Sequence, residues 1–160
     1  MEISEKDLKM AQEVYANLCS MLDSRNWKYR KEEDNFVIRC SVQGDDLPMD
    51  LIIYIDPARQ IIRLISPMPF DMSKEKLIDG AIAVSIANNG LVDGNFDFDI
   101  SDGSITFRLT ASYIDSVIGA DLFEYMLMVS AHTVDKYNDQ FLMLSKGALD
   151  IKTFMDTDKQ

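Results

Sequence analysis

Cysteine, histidine and proline are scarce in this chain, with two, one and four among 160 residues, and each scarcity excludes something. Cys19 and Cys40 form no CxxC. One falls on a helical pattern and the other on an alternating one, so two separate buried thiols are expected rather than a disulfide. His132 is the lone histidine, so any histidine-based catalysis must use it. Asp135, three positions on, could orient an imidazole from the same helix face. Ser130, two positions back, points about 200° away round a helix and cannot be the nucleophile. No catalytic residue is assigned.

Metal and cofactor signatures are missing too. There is no HExxH and no clustered His/Cys/Glu set. The glycine-bearing NNGLVDGN holds neither GxGxxG nor GxxxxGK[ST], and reads as a helix stop followed by a strand start. The adjacent Asp45 and Asp46 would point apart, and the Asp97/Asp99 pair is expected to be solvated, which leaves both pairs without the raised pKa that acid–base work needs. No metal and no cofactor is expected.

Positive charge is short as well: 16 Lys+Arg stand against 27 Asp+Glu, a formal net charge of -11. That field repels phosphate backbones and anionic lipid, so neither nucleic acid nor a membrane surface is expected as a partner. Long apolar runs are lacking: YMLMV at 125–129 is far too short to span a bilayer. The opening MEISEKDLKM lacks the apolar core of a signal peptide. The expectation is a cytoplasmic protein.

What is present is globular composition, 47% hydrophobic and 27% charged, with no repeat or linker to divide it. A single α+β domain over 1–147 is expected, with a frayed or briefly helical tail over 148–160. The first helix is placed at about 4–23, capped by Ser4 with Asp7 at the N3 position, and carries Leu8, Ala11, Tyr15, Leu18 and Leu22 at helical spacing. Strand patterns follow at 27–33, 36–42, 49–56 and 61–66, with a turn at Asp34-Asn35. The spacing fits an antiparallel meander. Met49, Leu51, Ile53 and Ile55 form one row, and Ile52, Tyr54, Ile62 and Leu64 are assigned to the opposite side. Such a sheet is apolar on both faces; helices would cover one, and a remaining helix or a second subunit the other.

SPMPF at 66–70 reads as a proline-stiffened crossover. Ser73 is expected to cap a second helix bearing Leu77, Ala81 and Val84, with Ile78 and Ile82, ending at Asn88-Asn89-Gly90 with Gly90 left-handed. The stretch NFDFDISDG resembles a calcium loop, with Asp97, Asp99 and Asp102 close together. An EF-hand needs D-x-[DN]-x-[DN]-G and a glutamate six positions on, and no register supplies them. Alternation of Phe96, Phe98, Ile100 and of Ile105, Phe107, Leu109 instead predicts a hairpin about SDGS. Ile100 would face Ile105, Phe98 would face Phe107, and Asp97 would pair with Arg108. A long helix is placed at about 121–146 with the stripe Leu122, Met126, Val129, Thr133, Tyr137 and Phe141, stopped by Gly147. Ten methionines, several on these helices, fill core gaps or adapt to partners.

The ordered pieces GDDLPMDLIIYID, RLISPMPF and NNGLVDGNFDFDISDGSITFRL resemble the YbjN family, described as proposed bacterial sensory-transduction regulators, over about 27–137. The resemblance implies the class I type III secretion chaperone-like fold: helix, meander, helix, β-hairpin, long C-terminal helix. It brings no catalytic residues. It also implies the job of secretion chaperones of this fold: dimerising and holding an unfolded partner segment on apolar patches. The expected function is therefore a non-enzymatic protein-binding module, chaperone-like or regulatory, acting as a homodimer on an unidentified protein partner. Candidate contacts are Met126, Met128, Tyr54, Ile52 and Leu64, with Asp97 and Asp99 as an acidic rim. The competing expectation is a small-molecule sensor or unrecognised enzyme with a pocket near Trp27, Tyr54 and His132.

Overall fold

The structure is a computed structural model and describes residues 3–116 and 118–158. Helix α1 spans Glu5–Ser24, and Ser4 caps it by accepting the Asp7 N–H. Ala11, Val14, Tyr15, Leu18, Met21 and Leu22 are its buried side; Leu8, at the start of the expected stripe, is exposed. Strands β1 (Tyr29–Glu32), β2 (Val37–Gln43), β3 (Pro48–Asp56) and β4 (Ile61–Asp71) make the antiparallel meander. In place of a simple Asp34-Asn35 turn there is a 3-10 turn at Glu33–Asn35, which leaves Phe36 left-handed at φ 51°. Pro48 is drawn from the expected loop into the first position of β3, opposite Gln43, where a missing N–H is tolerated.

After the meander come α2 (Leu77–Asn89), β5 (Asn95–Phe98), β6 (Ser104–Ser112), α3 (Ala120–Ser145) and α4 (Ile151–Asp158). The hairpin joins the meander, giving one six-stranded sheet in the order β1-β2-β3-β4-β6-β5, antiparallel at each pairing. Both edge strands are four residues long, which limits the unpaired backbone offered for aggregation.

Several expectations are corrected by this arrangement. SPMPF is not a crossover but the far half of β4. Pairing to β3 ends at Ile65, while pairing to β6 continues through Ser66 and Pro67 to Asp71 with a bulge. Pro67 and Pro69 thus lie where β4 has a neighbour on one side only, and prolines are admitted there. Ile62 and Leu64 do not oppose the main row. Ile55 pairs with Ile62 and Ile53 with Leu64, and directly paired residues share a face; the four-residue connection between Asp56 and Ile61 fixes that parity.

The hairpin turns two residues earlier than expected. Phe96 faces Phe107 and Phe98 faces Ile105, so every face is kept but Ile100 falls in the turn, exposed. Asp97 is opposite Thr106 and reaches Arg108 diagonally. Among the described residues the left-handed glycines are Gly94 (φ 77°), Gly103 (φ 84°) and Gly147 (φ 72°); Gly90 ends α2 at φ -94°. Ser73 caps no helix N–H; its hydroxyl donates to the Ser145 carbonyl at 3.0 Å.

The buried apolar side chains of the strands and helices, Val37 apart, form one core. At its centre Phe96 meets Phe107, Tyr137 and Phe141 edge-on, at centroid distances of 5.3, 5.5 and 5.2 Å. Phe154 of α4 is fully buried and stacks on Phe141 and Tyr137. Tyr137 donates its hydroxyl to Asp158. Residues 148–158 therefore contribute a helix and a core ring.

Burial sets the alkaline limit. Desolvation pushes the Tyr15 and Tyr113 phenols up to about 12, against an ordinary value of about 10 in the unfolded chain. A raised folded-state pKa means that the neutral phenol's contribution is complete below about pH 10 and declines as pH rises from there through about 12. Urea midpoints measured from pH 8 to 12 should hold up to about pH 10 and then fall.

Candidate functional site

The sequence-derived contact residues scatter over three environments. Leu64 and Met126 are in the core at 1% and 3% exposure, so neither can meet a partner without unfolding. Leu64 is sealed by its pairing with Ile53. Met126 lies on the inner side of α3, one helical turn from Phe123 and Ser130. Met128, on the outer side, is 56% exposed. Near it Leu122 and Tyr125 are exposed too. Tyr125 donates its hydroxyl to Asp93, which brings the α2–β5 loop, with the bare side chain of Val92, up to α3.

Helix α2 supplies residues that periodicity missed. Its sequence LIDGAIAVSIANN holds one charged residue, Asp79, and that is paired with Lys76 at 2.9 Å. Gly80, Ala83, Val84 and Ala87 face inward. Ile78 and Ile82, one turn apart, face outward at 65% and 44% exposure. The small inward residues were the available signal: they let α2 pack close on one side and leave Ile78 and Ile82 on the other.

Ile52 and Tyr54 are half-buried on the sheet face turned away from the helices, outside the core. Asp97 forms a bidentate pair with Arg108, at 2.7 and 2.9 Å, and that guanidinium holds its carboxyl below the usual carboxylate range. Asp99 accepts from the Ser101 N–H and hydroxyl at 2.9 and 2.6 Å, which also lowers it. Asp97 secures the sheet and Asp99 the turn.

The expected pocket near Trp27, Tyr54 and His132 does not form. Tyr54 is on the open sheet face, while His132 is exposed on α3. Asp135 accepts the Asp45 N–H at 2.9 Å rather than orienting the imidazole. A groove of about 720 Å³ lies instead between α1 and the 3-10 turn, lined by Tyr15, Cys19, Asp23, Lys31, Glu33 and Phe36 among others. Among the described residues no three His, Cys, Asp or Glu side chains are placed to hold a metal ion. No helix among them is long and apolar enough to cross a membrane.

A layer of helices on one face of an antiparallel sheet, with the hairpin closing one end, is an α+β fold of the type III secretion chaperone-like class. The solved structures show it directly. YbjN from E. coli, a proposed transcription regulator, is similar at 11% identity with a TM-score of 0.58, over 79% of this chain and 92% of its own. The ExsC–ExsE complex contains a similar chain at 13% identity and TM-score 0.56, over 81% of this chain and 93% of that one. The HopA1–SchA chaperone–effector complex contains another at 12% and 0.52, over 82% and 97%. No family model matches the sequence, and no curated protein does.

Proposed function

We propose that this chain is a non-enzymatic protein-binding module, chaperone-like or regulatory, that works as a homodimer and holds a partner segment on apolar surface. The observation that carries this is the outward face of α2. Ile78 and Ile82 stand in solvent on a helix with one charged residue, already paired. A helix apolar all round is normally covered, and two exposed isoleucines one turn apart on such a helix fit an interface core. Two of the similar folds come from protein–protein complexes, one of them a chaperone with its effector, which supports the same reading. Met128, Tyr125 and Val92 form a second apolar patch, and Asp93, Asp121 and Glu124 supply acidic groups beside it.

Light scattering tests the dimer, with a mass of twice 18.2 kDa expected for the wild type. The double variant Ile78→Glu, Ile82→Glu should weaken self-association at least about a hundredfold, because burying two carboxylates against their symmetry mates is prohibitive. Its monomer stability should change little, as for other surface substitutions. A strictly monomeric wild type that captures no protein in pull-down and mass spectrometry would overturn the proposal. The groove beside α1 favours a second reading, a small-molecule sensor; a thermal-shift screen with metabolites would reveal it by a stabilising hit.

A further inference from the structure

The sheet face turned away from the helices carries charge of an unusual kind for this protein. A continuous cross-strand row runs Arg30, Arg39, Ile52, Ile65, Arg108, Asn95. The neighbouring row holds Tyr54, Arg63 and Thr110. Four of the chain's arginines thus project from this face, and none of its lysines does from a paired position. Most acidic groups there are engaged: Glu32 with Arg39, Asp97 with Arg108, Asp56 with Arg59, and Asp50 with the Ser41 hydroxyl; Asp71, at the far end of β4, stands apart from them.

Arg63, like the exposed Arg30 at the sheet edge, has no carboxylate partner among the described residues. It differs in that its Nε is buried without a hydrogen-bond partner. It lines a shallow hollow of about 550 Å³ with Tyr54, Ile65, Thr106 and the Asp97–Arg108 pair. The buried, unpaired Nε carries a free-energy cost. The remaining N–H groups of the same guanidinium, not buried and without a partner among the described residues, are the ones a ligand acceptor on this face can reach. The guanidinium fork is shaped for a planar carboxylate, which a lysine would hold only as a point charge.

From this geometry we propose that the open sheet face binds an acidic segment of a partner polypeptide, with Arg63 taking a carboxylate and Ile52 and Ile65 taking the apolar residue beside it. The inference rests on the protein-binding reading above and names the chemistry of the partner. One unpaired guanidinium beside two isoleucines and a tyrosine suits a carboxylate among apolar side chains. A polyphosphate chain would meet the field of a protein of net charge -11 with only one free cation at the hollow.

The test uses the full chain and a short amidated peptide alternating Glu and Ile, with its Gln-for-Glu twin as control. The side-chain Nε–H signals of the arginines are followed by NMR. The expected result is a saturable shift of the Arg63 signal with the acidic peptide and none with the twin. Arg63→Gln should weaken binding at least about tenfold, as loss of charge-assisted hydrogen bonds does, and Arg63→Lys should weaken it less. A thermal melt like that of the wild type shows that each variant folds. No shift, an equal shift with inorganic phosphate, or a shift that follows protein concentration without peptide would each overturn the proposal. The last would mark the face as a contact between copies. Because the α2 variants leave Arg63 untouched, failure here alongside their dissociation would remove the carboxylate site and leave the protein-binding reading standing.

Discussion

A chain ended at Gly147 is expected to unfold at a much lower urea concentration than the full chain. Phe154 has no exposed surface and stacks at 5.5 Å on Phe141 and 6.4 Å on Tyr137. Those rings in turn close over Phe96. Removing a buried phenylalanine costs about 3–5 kcal/mol, against a total stability of about 5–15 kcal/mol for a domain. Truncation also strips the Asp158 acceptor from the Tyr137 hydroxyl. Phe154→Ala in the full chain separates the ring from the rest of α4: most of the loss should appear with the ring alone. An unchanged midpoint on truncation would make 148–160 an appendage and put the domain boundary at 147. A changed slope as well as midpoint would mean that the truncated native state is looser.

The parts of the fold legible in the sequence are those where one local period decides the outcome. Ser4 and Asp7 locate the start of α1, and Gly147, left-handed at φ 72°, follows the end of α3. Alternation finds β2, β3 and β6 because each places core residues at every second position. What alternation cannot supply is the relation between strands. Ile62 and Leu64 alternate as well as Ile52 and Tyr54 do, but their face is set by how the 57–60 turn joins β3 to β4, a property of backbone geometry. The hairpin shows the same limit, since a shift of two residues preserves every face.

The proposed binding surfaces are less legible for a different reason. Periodicity identifies apolar residues without saying whether anything in the chain covers them. Ile78 and Ile82 have the spacing of a buried stripe, yet α2 lies at the β5 end of the sheet and uses its small residues for packing. The arginine face left a clearer trace. Arg39 stands between Ile38 and Cys40, Arg63 between Ile62 and Leu64, and Arg108 between Phe107 and Leu109, and all six neighbours are buried. A charged residue flanked on both sides by core residues in a strand must point to the other face, so these three could have been grouped from sequence alone.

The earlier turn of the hairpin has a cause that a single substitution can expose. Gly103 sits at φ 84°, and a Cβ there would lie 2.5 Å from the Met72 carbonyl oxygen and 3.1 Å from the Met72 nitrogen. The Met72 N–H donates to the Gly103 carbonyl at 2.8 Å, and the Gly103 N–H to Asp99 at 2.7 Å. The turn is thereby pinned against the end of β4. Gly103→Ala must bear the left-handed penalty of about 1–2 kcal/mol and a collision with backbone, which cannot rotate away as a side chain could. Together with strain of the kind that overpacking causes, a loss of about 2–4 kcal/mol is expected. The urea midpoint reads that loss. Hydrogen exchange reads its location, with the Met72 and Gly103 amides losing protection before those of β2 and β3. Full stability in Gly103→Ala would mean that the turn can form without touching β4. The two-residue offset would then have to come from the strand pairing itself.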